Sequence, residues 1–149
     1  MDKISQLNSE LCVFVYGTLK PGGRYHRRYC QPHLTEAVPA QVQGQLYDFA
    51  QLGYPGMTTG EDWVKGYVLR FAQPRAVQAQ ILHRLDALEG YSPGTADERN
   101  DYVRCKVQAF SLEQVPLQTV WGYVMSVGKV RSLQGLYLPN GEWPVILRE

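Results

Sequence analysis

Two short stretches of the chain carry residue types suited to holding an anion and moving a proton. The first is YGTLKPGG, Tyr16–Gly23, where three glycines and a proline follow directly on an apolar run. A strand that ends in so glycine-rich a turn exposes successive backbone N–H groups with little side-chain cover. Such a nest can hold a carboxylate or a developing oxyanion. The second is Glu89 in LDALEGY. It stands at the end of a helical pattern, where the partial negative charge of the C-terminus pushes a carboxyl pKa upward. Asp86, three residues earlier on nearly the same face, adds repulsion. A carboxyl with a raised pKa is what proton transfer near neutral pH requires. Type and spacing alone also fit plainer roles: a turn that merely turns, and a solvated glutamate in a frayed last turn.

Other chemistry finds little support. Gly17 and Gly22 have the spacing that opens a phosphate-binding loop, but Gly23 and Arg24 stand where that motif needs Lys and Ser or Thr. No GxGxxG fingerprint follows a strand. His26, Cys30 and His33 fall at steps of four and three and imitate a metal set. Pro32 interrupts them and no fourth ligand is near, so neither a metal nor a cofactor is expected. Cys12, Cys30 and Cys105 are too few and scattered for a disulfide scaffold. Cys12 and Cys105 sit in strand patterns and are expected to be buried, although a Cys–His nucleophile pair stays open on sequence alone.

The elements that must position these residues follow from periodicity. Leu11–Tyr16 (LCVFVY) reads as a buried strand, and Arg24–Leu34 as a short helix of weak periodicity interrupted at Pro32. Val38–Phe49 alternates with period two, Leu52–Gly60 is turn-rich with room for a short extended piece, and Trp63–Phe71 is a further strand. Pro74 opens the clearest helix, with Val77, Ile81, Leu82, Leu85 and Leu88 on one stripe and Gly90 at the expected C-terminal cap. A polar loop, Ser92–Asn100, precedes strands at Tyr102–Phe110 and Gln118–Val127, and Leu138–Pro144 is a tight turn. Strands that do not alternate with helices exclude a doubly wound parallel sheet and point to a compact α+β domain with a curled, mainly antiparallel sheet or small barrel.

Composition narrows the class of function. The chain has 149 residues, 44% of them apolar, and a net charge of +1. That suits one domain over residues 11–149 behind a polar extension, Met1–Glu10. The near-neutral balance argues against nucleic-acid or anionic-membrane binding. The longest apolar run is far short of a membrane span, and Met1–Glu10 has no apolar signal core, so a soluble cytoplasmic protein is expected. No apolar surface stripe argues for a dimer, and the oligomeric state stays open.

Taken together and in order, these motifs resemble the gamma-glutamylcyclotransferase-like family. The resemblance rests on VFVYGTLKPGG (Val13–Gly23), GQLYDF and LGYPG (Gly44–Phe49, Leu52–Gly56), LDALEGY (Leu85–Tyr91), YVR (Tyr102–Arg104), WGYVM (Trp121–Met125) and NGEW (Asn140–Trp143). It implies an α+β fold, a small mixed, mainly antiparallel β-barrel flanked by α-helices, with a cavity at one end. It also implies a small-molecule gamma-glutamyl substrate, no metal and no cofactor. Tyr16, Gly17, Thr18 and Leu19 would form the substrate-binding loop, Glu89 the acid/base, and Tyr123 a further wall of the pocket. Tyr91, Tyr102 and Pro55–Gly56 match recurrent positions without an assigned role. Side chains around Lys20–His26 are expected near the leaving amine, and Ser92–Asp101 as a rim or lid. The implied reaction closes a gamma-glutamyl amide to 5-oxoproline and a free amine. The alternative is a non-catalytic small-molecule-binding or protein-interaction module on the same fold.

Overall fold

The computed structural model describes residues 10–144, so the expected polar extension lies outside the described residues except for Glu10. Glu10 is ion-paired with Arg70 at 2.6 Å. The strands are β1 (Leu11–Val15), β2 (Glu36–Phe49), β3 (Tyr54–Phe71), β4 (Val103–Phe110), β5 (Pro116–Val124) and β6 (Leu136–Leu138). The helices are α1 (His26–Tyr29), α2 (Arg75–Leu88) and α3 (Val127–Ser132), with 3-10 turns at Gln31–His33 and Asp97–Arg99.

β1 is buried along its whole length, which explains its unbroken apolar run. Its side chains alternate between two cores. Leu11, Val13 and Val15 enter a cluster with Leu69, Phe71, Ile81, Leu85 and Met125. Cys12, Phe14 and Tyr16 enter a second cluster with Val42, Leu46, Met57, Val64 and Val120. The α2 stripe behaves as its spacing requires: Ile81 and Leu85 are buried, and Val77, Leu82 and Leu88 pack partly buried against the first cluster. Burying Ile81 and Leu85 stabilises the docked helix by about 2 kcal/mol each.

The class is α+β, but the expected barrel is corrected. The strands form one six-stranded mixed sheet in the order β3-β1-β5-β4-β2-β6, with β2 also paired to β3. β1 runs parallel to β5 and meets it through one registered pair, Val13↔Trp121. β2 meets β4 through Gln41↔Phe110 alone. The long ladders are antiparallel and join β2 to β3, β4 to β5 and β1 to β3. Pairing is thus unequal, three long antiparallel ladders beside two single-pair junctions in a mixed sheet, and β6 adds to β2 as a short edge strand. Only α2 is long; α1 and α3 are short.

Other boundaries shift for local reasons. Trp63–Phe71 is a strand as expected, but Leu52–Gly60 carries more than a short extended piece: from Tyr54 onward it belongs to the same strand, β3, because β2 is long enough to pair with both halves. The register slips between Gly44 and Gln45, whose partners are Asp62 and Thr58, and this irregularity takes up Thr59, Gly60 and Glu61. Arg24–Leu34 holds a four-residue helix and a 3-10 turn with Pro32 inside it. β5 begins at Pro116 and ends at Val124, and neither α3 nor β6 was expected. Among the described residues no helix is long and apolar enough to cross a membrane.

Candidate active site

β1, set between β3 and β5, ends at Val15 and delivers Tyr16–Leu19 to the wall of a cavity of about 180 Å³. The cavity is walled by Gly17, Thr18 and Leu19 from this loop, Tyr54 and Pro55 from the start of β3, and Glu89 from the end of α2. Asp101, Tyr102 and Tyr123 complete it. All six residues expected at the site, Tyr16, Gly17, Thr18, Leu19, Glu89 and Tyr123, therefore line one cavity.

The loop is held by its carbonyls, which leaves its amides open. Lys20 N–H donates to the Gly17 carbonyl at 3.0 Å, and Tyr25 N–H to that of Thr18 at 3.0 Å. His26 Nδ1 lies 2.8 Å from the Leu19 carbonyl, which fixes the proton on that nitrogen. Among the described residues the N–H groups of Gly17, Thr18 and Leu19 have no backbone partner in the loop's hydrogen-bond pattern. Gly17 must be glycine, because a Cβ there would lie 2.7 Å from the Pro55 ring.

Glu89 is the C-cap of α2 and is fixed by a Schellman motif. Gly90 adopts φ +69°, its N–H donates to the Ala87 carbonyl at 3.2 Å, and Tyr91 N–H donates to that of Asp86 at 2.9 Å. Asp101 N–H then ties the following loop back to the Gly90 carbonyl at 3.0 Å. The Glu89 residue is half-buried because it faces the cavity, yet protein surrounds its carboxyl. Desolvation first, and Asp86 second, push its pKa from 4.5 up to about 8. The helix end that sequence reasoning invoked is secondary to burial. Among the described residues no side chain or amide hydrogen-bonds the Glu89 carboxyl, so its protonation is set by surroundings rather than by a fixed partner.

The two tyrosines are more committed than expected. Tyr16 Oη donates to the Tyr123 carbonyl at 2.7 Å and accepts from Met57 N–H at 3.1 Å, so its hydroxyl bridges strands and its contribution to the cavity is its ring and backbone. Tyr123 Oη donates to Asp86 Oδ1 at 2.7 Å. The same oxygen accepts from Arg104 Nε at 2.8 Å, a largely buried ion pair. Arg104 in turn stacks on Trp121, 4.3 Å from the ring centre. This Asp86–Arg104–Tyr123 group stands behind the cavity wall that carries Glu89 and was missed, because no local spacing links helix α2 to strands β4 and β5. Tyr102 also lines the cavity and donates to the Pro55 carbonyl, whereas Tyr91 lies under Arg104. Burial pushes the Tyr16, Tyr102 and Tyr123 phenols up, so each stays a neutral donor.

The metal-like spacing does not assemble. Cys30 is buried in the first core and His26 is turned to Leu19, so the shared helical face does not exist. Among the described residues no group of three or more His, Cys, Asp or Glu side chains is placed to hold a metal ion. Cys12 is buried and Cys105 half-buried, with burial raising both thiols. Of the Ser92–Asp101 loop, Asp101 reaches the cavity and pairs with Lys129 at 3.2 Å.

This site lies within a stretch, residues 13–145, that matches the model of the family described as "Gamma-glutamyl cyclotransferase, AIG2-like". The chain belongs to that family. Comparison with curated proteins by sequence gives no match. Among solved structures, an AIG2-like protein of Mus musculus is similar with a TM-score of 0.60 and 21% identity, over 91% of this chain and 88% of its own. The Arabidopsis thaliana protein At3g28950.1 is similar with a TM-score of 0.55 and 26% identity, over 91% of this chain and 70% of its own. YkqA of Bacillus subtilis gives a TM-score of 0.59 and 19% identity, but this chain spans only 40% of its length. Within that stretch the YGTL loop and the LDALEGY helix end line one cavity.

Proposed function

We propose that the protein is a cyclotransferase that converts a gamma-glutamyl amide into 5-oxoproline and a free amine. The observation that carries this reading is Glu89, a carboxyl without a hydrogen-bond partner among the described residues and with its pKa raised to about 8, facing the open amides of Gly17–Leu19 across a small cavity. In such a substrate the alpha-amine nitrogen attacks the gamma-carbonyl carbon and closes a five-membered ring. The nucleophile belongs to the substrate, and proximity is supplied within the molecule, so the protein's task is to hold the folded conformer.

Glu89 takes the proton from the attacking amine and passes it to the departing nitrogen as the bond to the gamma-carbon breaks. It ends the cycle in the state in which it began. Proton transfer by a positioned carboxyl contributes about 10²–10⁴ in rate. The tetrahedral oxygen needs fixed donors, and the amides of Gly17, Thr18 and Leu19 serve as them. Raised basicity suits both halves, because a carboxyl near pKa 8 accepts a proton more readily than an ordinary glutamate and still returns it.

The test is release of 5-oxoproline from a panel of gamma-glutamyl amino acids and gamma-glutamylamines, with Glu89→Gln alongside. The expected result is product from the parent and a loss of at least about a hundredfold in the variant, which remains folded. Full turnover in Glu89→Gln overturns the assignment of the acid/base. Ligand-dependent thermal stabilisation without product from either protein points instead to a binding module.

A further inference from the structure

Thr18 lines a second hollow as well as the Glu89 cavity. This is a broad groove of about 1000 Å³ whose walls include Arg24, Arg27, Asp48, Gly53, Leu138 and Trp143. It begins where the cavity ends: Tyr25 lines the cavity and its neighbour Arg24 lines the groove. The far wall is built rather than incidental. Lys20 Nζ, buried beneath the loop, donates to the Trp143 carbonyl at 2.6 Å, and Trp143 Nε1 donates to Asp48 Oδ1 at 2.8 Å. Trp143 is thus held at both ends.

The charge on the groove is unbalanced. Lys20 spends its amine on Trp143, and Asp48 is turned to the indole. Arg24 and Arg27 are exposed and form no ion pair among the described residues. The Arg24 guanidinium lies against Gly53, with Nη2 only 3.4 Å from where a Gly53 Cβ would stand. The missing side chain leaves it room at the floor of the groove. Two guanidiniums without an ion pair, that of Arg24 also packed over the Tyr25 ring at 5.8 Å, against one hydrogen-bonded carboxylate favour an anion, and a guanidinium matches a carboxylate with two parallel hydrogen bonds.

We propose that this groove takes the leaving-amine half of the substrate, and that Arg24 and Arg27 read a carboxylate on it. The proposal rests on the cyclotransferase reading and sharpens it. The preferred leaving group is then an amino acid or peptide amine with a free carboxylate, rather than an uncharged alkylamine. Arg24 and Arg27 are the specificity determinants, and Glu89 and the loop amides do the same chemistry on either class.

The experiment compares gamma-glutamyl-alanine with gamma-glutamyl-alaninamide, which share a skeleton and differ in the carboxylate. 5-Oxoproline release is measured for the parent and for the double variant Arg24→Gln, Arg27→Gln. The readout is the ratio of kcat/KM for the two substrates, so a general loss of activity cancels. The parent is expected to favour the acid by about tenfold, mainly through KM, with the preference shrinking at high salt. In the double variant the ratio falls to near one. Parity or an amide preference in the parent, or a preference untouched by the double substitution, overturns the carboxylate subsite and leaves the cyclotransferase reading standing. No 5-oxoproline from these two or from any member of the wider panel overturns that reading, and the subsite with it.

Discussion

Glu89 makes a prediction that needs no substrate. Folding moves its carboxyl from water into the cavity wall and raises its pKa from 4.5 to about 8. A group that holds its proton more tightly when folded contributes stability fully present below its unfolded pKa. That contribution is lost as pH rises toward the folded value. Between the two values the loss accumulates at about 1.4 kcal/mol per pH unit, which gives about 1 kcal/mol at pH 5, about 3 at pH 7 and nearly 5 by pH 9. Glu89→Gln keeps the size and cannot ionise, so it removes this slope and adds only an offset that does not depend on pH. Urea unfolding of parent and variant at several pH values from 5 to 9, with the difference in ΔG plotted against pH, isolates Glu89 and its couplings, because titrating groups that do not interact with it cancel. The variant should gain on the parent by about 2–4 kcal/mol across that range, with unchanged m-values. A difference that stays flat refutes the claim that Glu89 is desolvated by folding, and removes the physical basis for its role as a proton carrier.

Other consequences follow from the same wall. With Glu89 as the essential base of the free enzyme, kcat/KM should rise with pH through about 8, and Asp86→Asn should move that rise to lower pH by removing the nearby negative charge. The same substitution weakens a largely buried pair with Arg104 and should cost about 3 kcal/mol in urea unfolding, whereas a midpoint unmoved in the rate profile refutes the coupling. Tyr16→Phe leaves Met57 N–H and the Tyr123 carbonyl without their bridge and should cost about 2 kcal/mol, read by the same unfolding assay. Gly90→Ala forces a side chain into φ +69° and against Asp101, so it should lose about 1–3 kcal/mol and lower kcat by misplacing Glu89; retention of both in thermal unfolding and turnover contradicts the locked cap.

Much of the site was legible because its signals are local. The breakers in GTLKPGG dictate a loop whatever the rest of the chain does, and the apolar stripe from Val77 to Leu88 with Gly90 behind it dictates a helix and where it stops. Those two facts place the open amides and Glu89 at the ends of their elements. The period-two pattern likewise showed that Val38–Phe49 has two faces. It did not show that β2 would pair with β3 along two stretches, so the extended part of Leu52–Gly60 proved longer than expected. A barrel was expected from resemblance, but strand order depends on which edges meet, and the single pairs joining β1 to β5 and β2 to β4 carry no sequence mark.

The sequence by itself determined the chemical groups, the breaks between elements and the face each element buries, since these follow from backbone sterics and side-chain period over a few residues. Tertiary structure alone decided what those groups experience. Tyr16 reaches a carbonyl 107 residues away and Asp86 meets Tyr123 across 37. The pKa of Glu89 is raised chiefly by the protein packed around it. Desolvation is a property of everything that surrounds a group in three dimensions, and no spacing along the chain encodes it.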